Sequence, residues 1–364
     1  MQDDSGAVAP ALSDLIPKIV AAQPLTVDEA EAAFVTVMEG RATPVQIAAL
    51  LVGLRATGES PLHVAGGVRA LRRAMIPIAA PDGWSVVDTC GTGGGAFMTF
   101  NISTAAALLA AGMGVRVAKH GNRSFTSRCG SADVLSALGV QIELTPEQMV
   151  GVFERAGIVF MFAPLLHPAM KHVAPIRREL GMPTIMNLLG PLTNPAGARR
   201  QVVGVSHPRL LELIAGALSE LGHEHALVVH GEPGMDEISP IGPTQIVEVR
   251  AGQLHHFTFD PKTVVGSRTL APEDLRGGDP DYNARVVEEV LVGKGPDAAR
   301  AAIAINAGAA VYVAGMAPDL ETGVAQAQLA LEQGRGAEAL ARLRSATRTM
   351  LDLPATAASP PHKA

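Results

Sequence analysis

The chain has 364 residues, 48% of them hydrophobic, and a formal net charge of −6. This length and apolar content support a large core and predict two domains. The acidic balance argues against a general nucleic-acid binder, which would carry a basic surface. The sequence shows neither a secretory leader nor a long apolar run, so we expect a cytoplasmic protein that does not enter the membrane.

The first part of the chain, from Ala11 to about Met75, has a helical pattern without strands. Three N-cap residues mark helix starts within it: Thr26, Thr43 and Ser60. We therefore predict a small, all-helical N-terminal domain over residues 10–80, preceded by a flexible tail over residues 1–9.

After a proline-containing linker, short apolar segments alternate with helical ones. This alternation predicts a larger α/β domain with a mostly parallel central sheet and helices on both faces. The predicted strands, of which the last two form an antiparallel hairpin, cover residues 84–89, 115–118, 158–162, 202–205, 226–229, 246–250 and 254–259.

One helix-like segment, residues 172–196, lies between two segments of the predicted sheet. We expect this segment to join the helical domain and so to create a second crossing between the domains. That division leaves residues 81–171 and 197–352 for the α/β domain, with residues 353–364 as a flexible tail.

A glycine-rich loop, Gly91-Thr-Gly-Gly-Gly95, follows the first predicted strand. Alone it is weak evidence, since glycines also form ordinary sharp turns between a strand and a helix. The segment Asn101-Ile-Ser-Thr104 then places several polar side chains at a helix N-terminus, where backbone N–H groups favour an anion. The two segments together predict a phosphate site. The cysteines Cys90 and Cys129 are expected to be reduced packing residues.

The second motif, Lys119-His-Gly-Asn-Arg-Ser124, follows the next predicted strand. The motif combines two cations with an imidazole, an amide, a hydroxyl and a glycine. This combination is not typical of a charged loop that only faces solvent. Both motifs stand at the carboxyl ends of strands, where open α/β sheets bind ligands. We predict one pocket for a small molecule with several phosphates, while His120 has the alternative role of a packed, hydrogen-bonded residue.

Two carboxylates, Asp236 and Glu237, follow the strand predicted at 226–229 and a glycine turn. An isolated pair of this kind is more often part of a solvated surface loop. Beside a phosphate pocket in the same sheet, the pair favours Mg²⁺, a hard cation that binds carboxylate, water and phosphate oxygens.

A pair of arginines, Arg177 and Arg178, lies in the helix-like segment. The guanidinium group is a planar fork that matches a carboxylate, so Arg177 is a candidate for binding an acidic ligand. For Arg178 we expect an ordinary ion pair on the helix surface, with Glu179 or with another acid.

In this order, and together with His167-Pro-Ala-Met170 and Asn187–Pro195, the motifs resemble those of the anthranilate phosphoribosyltransferases of tryptophan biosynthesis. The resemblance implies transfer of the phosphoribosyl group of 5-phosphoribosyl 1-pyrophosphate (PRPP) to the amine of anthranilate, which gives N-(5-phosphoribosyl)anthranilate and pyrophosphate. It also implies Mg²⁺ as cofactor and a homodimer joined through the helical domain. The acidic charge and the lack of a long apolar run predict neither nucleic acid nor membrane as partner.

The resemblance assigns roles to the residues that match the family motifs. Contacts with anthranilate are implied for Gly91, Asn122 and Arg177. Catalytic roles are implied for Lys119, Asn122 and Arg177. Magnesium ligands are implied at Ser103, Asp236 and Glu237. The implied PRPP contacts are Gly91, Gly94, Gly95, Thr99, Asn101, Ile102, Ser103, Thr104, Lys119, His120, Gly121, Asn122, Arg123, Ser124, Phe125, Thr126, Ser127 and Ser131.

One position departs from the family pattern, since Gly95 stands where an acidic residue is usual. The resemblance implies two magnesium ions per site, and the missing carboxylate leaves the second ion open. Because Asp236 and Glu237 are both present, we expect the main activity to survive with an altered dependence on magnesium.

Two other functions stay open on the sequence. A pyrimidine nucleoside phosphorylase of related fold would also use a glycine loop and a lysine–serine phosphate site. A non-catalytic, nucleic-acid-binding relative of the fold is the second alternative, and the net charge of −6 argues against it.

Overall fold

The computed structural model describes residues 11–124, 128–266 and 268–352. The tails predicted at 1–9 and 353–364 therefore lie outside the described residues. Within the described ranges, every helix is too short or too polar to cross a bilayer.

Four helices form the N-terminal part of the chain: α1 (Leu12–Val20), α2 (Val27–Met38), α3 (Pro44–Thr57) and α4 (Pro61–Ala74). A capping box begins each of the last three helices, with the N-cap side chain accepting a hydrogen bond from a backbone N–H in the first turn. The N-cap residues are those predicted, namely Thr26, Thr43 and Ser60. The predicted small helical domain is therefore confirmed.

One seven-stranded sheet follows, made of β1 (Val86–Gly91), β2 (Arg116–Gly121), β3 (Ile158–Phe162), β4 (Arg200–Gly204), β5 (His225–Gly231), β6 (Thr244–Arg250) and β7 (Gln253–Phe259). The strand order is β3-β2-β1-β4-β5-β6-β7. Strands β1 to β5 are parallel, whereas β6 and β7 are antiparallel to their neighbours. The predicted, mostly parallel sheet with a terminal hairpin is confirmed.

The remaining helices connect the strands or follow them: α5 (Ile102–Gly112), α6 (Ser131–Ala137), α7 (Pro146–Ala156), α8 (Ala163–Leu166), α9 (Ala174–Leu180), α10 (Met186–Leu189), α11 (Leu210–Glu220), α12 (Lys262–Val265), α13 (Pro280–Leu291), α14 (Asp297–Val313), α15 (Leu320–Glu332) and α16 (Arg335–Asp352). Short 3₁₀ turns lie at Pro168–His172, Gly190–Leu192 and Pro272–Leu275.

Alternate side chains of the central strands enter two separate cores, as the period of two along a strand requires. Val202 and Leu227 pack in the core that contains α5 and α14. Val203 and Val228 pack in the core that contains α11 and the N-terminal helices. Helices therefore cover both faces of the sheet, as predicted.

The segment after β3 packs on the N-terminal helices. Val173, Met186 and Leu189 are buried in the same core as α2, α3 and α4. Leu189 lies so close to Gly67 of α4 that a Cβ there would come within 2.8 Å of the leucine methyl. On this ground we propose that the helical domain comprises residues 10–80 and about 172–196, and that the α/β domain comprises residues 81–171 and 197–352.

Candidate active site

The glycine-rich loop and the acidic loop meet at the carboxyl edge of the sheet. Gly91 ends β1, and a Cβ at this position would lie 2.7 Å from the Asp236 carboxylate, so only glycine permits the approach. The N–H of Gly93 donates to Oδ2 of Asp236 at 3.1 Å. Gly93 and Gly94 have φ angles of +66° and +80°, in the left-handed region that favours glycine. The glycines thus shape the loop around the carboxylate.

A cavity of about 10 Å³ lies between β1, α5 and the acidic loop, with room for about one water molecule. Its lining includes all three residues for which a magnesium contact was implied, Ser103, Asp236 and Glu237. The Thr99 hydroxyl lies 3.4 Å from both carboxylate oxygens of Glu237. The fold therefore brings the Ser103 hydroxyl and the two carboxylates together in the lining of one cavity.

The surroundings of the two carboxylates make their charged forms unfavourable. Burial raises the pKa of Asp236, and burial together with repulsion by Asp236 raises the pKa of Glu237 well above its usual value. Among the described residues, neither carboxylate forms an ion pair. A bound divalent cation would reverse this penalty on the charged forms.

The donor set fits magnesium. Two carboxylates and a hydroxyl are hard oxygen ligands, and Mg²⁺ commonly uses one or two protein carboxylates together with waters and substrate phosphates. The described part of the chain contains no group of three or more His, Cys, Asp or Glu side chains placed to hold a metal. Ser103, Asp236 and Glu237 line this cavity and would hold the cation.

A buried lysine stands beside the cavity. The ammonium Nζ of Lys119 donates to the backbone oxygen of Thr89 at 2.6 Å and lies 3.4 Å from Oγ of Ser103. Burial lowers the pKa of Lys119, and the negative charge of Asp88 opposes that shift. The Lys119 ammonium and the two carboxylates thus lie around the hydroxyl of Ser103.

The start of α5 ties the first motif to its surroundings. Asn101 is the N-cap residue, but its side chain donates to the backbone oxygen of Cys129 at 3.2 Å and accepts from Asn283 at 2.9 Å. The side chain of Ile102 is fully buried in the core. Oγ1 of Thr104 is buried and has no hydrogen-bond partner among the described residues.

Asp133 organises the second motif. Its carboxylate accepts from the backbone N–H groups of Ser124 and Gly130, at 3.2 and 2.9 Å, and pairs with the Arg123 guanidinium at 3.0 Å. The backbone oxygen of Asn122 accepts from the N–H of Ala132 at 3.2 Å and lies 3.4 Å from the hydroxyl of Ser131. A Cβ on Gly121 would also clash with that hydroxyl. Phe125, Thr126 and Ser127 lie outside the described residues.

Two buried histidines join the second motif to the segment after β3. Nε2 of His120 lies 3.1 Å from Nε2 of His167, so one ring donates and the other accepts. Burial, with the repulsion of the neighbouring ring, lowers the pKa of His120 to about 3, and burial lowers the pKa of His167 to about 4. Both rings are therefore neutral at ordinary pH. Their contact joins the second motif to the part of the chain that leads from β3 to α9.

Arg177 lies on α9, and burial lowers its pKa. Its guanidinium makes no hydrogen bond or ion pair within the described ranges, and is free to bind a carboxylate there. Arg178 forms no ion pair with a described residue either, so the surface ion pair expected for it is wrong. The reason is geometric, because adjacent residues on a helix, such as Arg178 and Glu179, do not face each other.

The sequence does not assign a role to several buried polar residues near the site. Asp88, Asn194 and Gln201 are fully buried and linked by hydrogen bonds, and Asn283 binds Asn101. Asp88 stands out in the sequence as a charged residue in an apolar strand, and Asn194 lies in the Asn187–Pro195 segment, but neither pattern indicates these contacts. The two cysteines form no disulfide, as expected.

The histidine pair predicts a pH dependence of stability. The pKa of each histidine lies below the ordinary 6.5. The contribution of the neutral pair to the free energy of unfolding is therefore complete above pH 6.5 and is lost as the pH falls towards about 4. We expect the free energy of unfolding in urea to fall from about pH 7 to about pH 5, and to fall less in the double variant His120→Asn/His167→Asn. An equal decline in the two proteins would contradict the assignment.

Two family models match the chain. The glycosyl transferase family, helical bundle domain, matches residues 13–75, and the glycosyl transferase family, a/b domain, matches residues 83–337. The anthranilate phosphoribosyltransferase of Rubrobacter xylanophilus is 52% identical over 339 residues, which cover 93% of this chain and 98% of the relative. That of Thermomicrobium roseum is 47% identical over 337 residues, which cover 92% and 96%.

Solved structures give the same result. The crystal structure of anthranilate phosphoribosyltransferase from Thermus thermophilus superposes with a TM-score of 0.86 at 43% identity, covering 92% of this chain and 99% of that one. The Saccharomyces cerevisiae enzyme in complex with PRPP and Mg has a TM-score of 0.83 at 24% identity, covering 93% and 98%, and shows likeness of fold. The chain therefore belongs to the anthranilate phosphoribosyltransferases, within the glycosyl transferase family.

Proposed function

We propose that the chain is a magnesium-dependent, cytoplasmic enzyme of tryptophan biosynthesis that transfers the phosphoribosyl group of PRPP to the amine of anthranilate. One observation carries the proposal: Gly93 of the glycine loop binds Asp236, and Asp236 and Glu237 line one cavity with Ser103, beside Lys119, which suits a magnesium-bound pyrophosphate. The acceptor follows from the relatives, which are 47% and 52% identical and are named for anthranilate.

The difficult step is departure of a highly charged pyrophosphate from C1 of the ribose. When bound, Mg²⁺ neutralises part of that charge, and Ser103, Asp236 and Glu237 would hold it. The Lys119 ammonium and the N-terminus of α5, where Asn101 is the cap, stabilise the anionic leaving group electrostatically. The C1–N bond forms as the C1–O bond to pyrophosphate breaks, and the amine then releases a proton.

The acceptor needs orientation more than activation. An arylamine can attack before it loses its proton, so the reaction requires no strong general base. The guanidinium of Arg177 binds the ortho-carboxylate of anthranilate. Asn122 and Gly91 line the space that the ring occupies. Fixing the amine against C1 lowers the entropic cost of the bimolecular step.

We propose two magnesium ions per site, with the second held by fewer protein oxygens than is usual in the family. Gly95 offers no carboxylate, and a Cβ there would lie 2.9 Å from the backbone oxygen of Gly234 and 3.3 Å from Oδ1 of Asp236. The first ion keeps its ligands because Asp236 and Glu237 are unaffected.

We also propose a homodimer joined through the helical domain. Large apolar side chains stand in solvent there: Val20 on α1 is 69% exposed, and Val45 on α3 is 78% exposed. Val52 on α3 is a further exposed apolar residue of this domain. Helices α1 and α3 pack against each other, with Gly53 beside Ile19, so the exposed valines lie on neighbouring helices, and apolar residues grouped in this way mark an interaction surface.

The alternatives are not favoured. The relatives that cover nearly the whole chain carry the name of the transferase, not of a pyrimidine nucleoside phosphorylase. The same similarity, together with the net charge of −6, speaks against a nucleic-acid-binding relative.

The reaction itself is tested by anthranilate fluorescence. Mixing the protein with anthranilate, PRPP and Mg²⁺ should give a fluorescence decrease that requires the metal and is lost in Asp236→Asn, which removes one magnesium ligand. Glu232→Gln, an exposed acid in the same loop, is the matched control and should react like the wild type. No decrease at any magnesium concentration would reject the proposed function.

Arg177→Ala should raise the KM for anthranilate by about tenfold to a hundredfold, because a charge-assisted hydrogen bond contributes about 1.5–3 kcal/mol and each decade corresponds to about 1.4 kcal/mol. The KM for PRPP should change little. Arg178→Ala on the neighbouring face is the control. An unchanged KM for anthranilate in Arg177→Ala would remove that role from Arg177.

Gly95→Asp should change the dependence of rate on magnesium concentration, since it restores a carboxylate beside the pyrophosphate. Gly95→Asn has the same size, meets the same backbone contact with Gly234 and lacks the charge, so its curve should keep the wild-type shape. Identical curves for the Asp and Asn variants would show that the missing charge has no effect.

Val45→Glu should convert the dimer to a monomer, because it places a charge in an apolar interface. Leu329→Glu, at a position on α15 that is 56% exposed in the α/β domain, should leave the dimer intact. Light scattering coupled to gel filtration measures both. A wild-type monomer, or an intact Val45→Glu dimer, would contradict this interface.

A further inference from the structure

The sheet divides between β1 and β2 at the edge that carries the site. The two strands pair only at Val86–Arg116 and Val87–Val117. On its other side, β1 stays paired with β4 as far as Gly91, and β2 stays paired with β3 as far as Gly121. The last part of both strands, which leads into the glycine loop and into the second motif, is therefore unpaired across this gap.

Side chains take over the hydrogen bonds that the gap removes from β2. Nδ2 of Asn194 donates to the backbone oxygen of Ala118 at 2.8 Å, and the N–H of His120 donates to Oδ1 of Asp88 at 3.3 Å. In an unbroken parallel ladder, such groups would bond to the neighbouring strand. Buried backbone groups need partners, and Asn194 and Asp88 supply them where β1 does not.

Asn194 and Asp88 are also bonded to each other. Nδ2 of Asn194 donates to Oδ2 of Asp88 at 2.8 Å, and Oδ1 of Asn194 accepts from the N–H of Ala196 at 2.9 Å. Both side chains are fully buried. Every hydrogen-bonding atom of the Asn194 amide is therefore used, and the pair forms a fixed wedge between the strands.

The gap between β1 and β2 allows the Lys119 ammonium to reach β1. Because β2 does not bond to β1 here, the backbone oxygen of Thr89 on β1 is open to the ammonium Nζ of Lys119 at 2.6 Å. The same ammonium lies 3.4 Å from the hydroxyl of Ser103, which lines the cavity of the carboxylate pair. A closed ladder would leave the lysine no such position.

We infer that Asn194 and Asp88 are positioning residues: by holding β1 and β2 apart, they place the Lys119 ammonium where the pyrophosphate of the substrate binds. The inference rests on the proposed function. Asn194 belongs to the segment that packs on the N-terminal helices, so the wedge also fixes that segment to the phosphate side of the site.

The two residue types are not interchangeable. Asp88 only accepts, from His120, Asn194 and, at 3.4 Å, from Gln201. Asn194 must donate twice and accept once. Asp88→Asn would turn one acceptor into a donor facing the Asn194 amide, with almost no change in volume, so it disturbs the wedge without leaving a cavity.

A double-mutant cycle tests the inference on the full chain. The dissociation constant of PRPP in the presence of Mg²⁺ is measured by calorimetry for Asn194→Ala, for Lys119→Met and for the double variant. We expect Asn194→Ala to weaken PRPP binding about tenfold in the wild-type background and less than about twofold when Lys119 is already Met, because neighbours that act through one another are not additive. Equal factors in the two backgrounds would overturn the inference.

Two further variants keep the result interpretable. Asp88→Asn should show the same coupling to Lys119→Met, and serves in place of Asn194→Ala if that variant does not fold. Thr347→Ala removes a buried hydroxyl that binds backbone groups away from the site, and should lower thermal stability while PRPP affinity stays at the wild-type value. Unchanged PRPP affinity in both wedge variants would overturn the inference alone, whereas no PRPP binding by the wild type would contradict the proposed function.

Discussion

The arrangement of the site depends on two carboxylates, Asp236 and Glu237, that line one small cavity and form no ion pair with a described residue. Burial raises the pKa of Asp236, and burial together with repulsion by Asp236 raises the pKa of Glu237, so their charged forms are unfavourable in the protein alone. The surrounding chain is built to keep them there, since Gly91 has no side chain to displace Asp236 and the N–H of Gly93 binds it. A site of this kind gains most from a divalent cation that arrives with a polyanionic substrate.

The second requirement is that parts from distant regions of the chain meet at one edge of the sheet. The gap between β1 and β2, held open by Asp88 and Asn194, places Lys119 beside the carboxylate cavity. The contact of His120 with His167 brings the segment that carries Arg177 against the same edge. In the proposed reaction, Lys119 would help to neutralise the charge of the donor and Arg177 would bind the acceptor.

Much of the fold could be predicted from local signals. Capping residues such as Thr26 fix helix starts within a few residues, and apolar runs such as Ile158–Phe162 identify strands. The phosphate motifs were visible because each is contiguous. Asp88 with Asn194, and Asn101 with Asn283, were not predictable, since the partners are separated by 106 and 182 residues and no local pattern links them. The roles implied for the site residues, Phe125, Thr126 and Ser127 among them, stay predictions.

The most direct test of the central claim is a calorimetric titration of PRPP into the wild type and into Glu237→Gln, each with Mg²⁺ and with a chelator. If the carboxylate pair holds the cation, PRPP binds the wild type much more tightly with Mg²⁺, and Glu237→Gln loses that gain while it keeps its fold. Equal affinity with and without Mg²⁺ in the wild type, or a full magnesium effect in Glu237→Gln, would contradict the account.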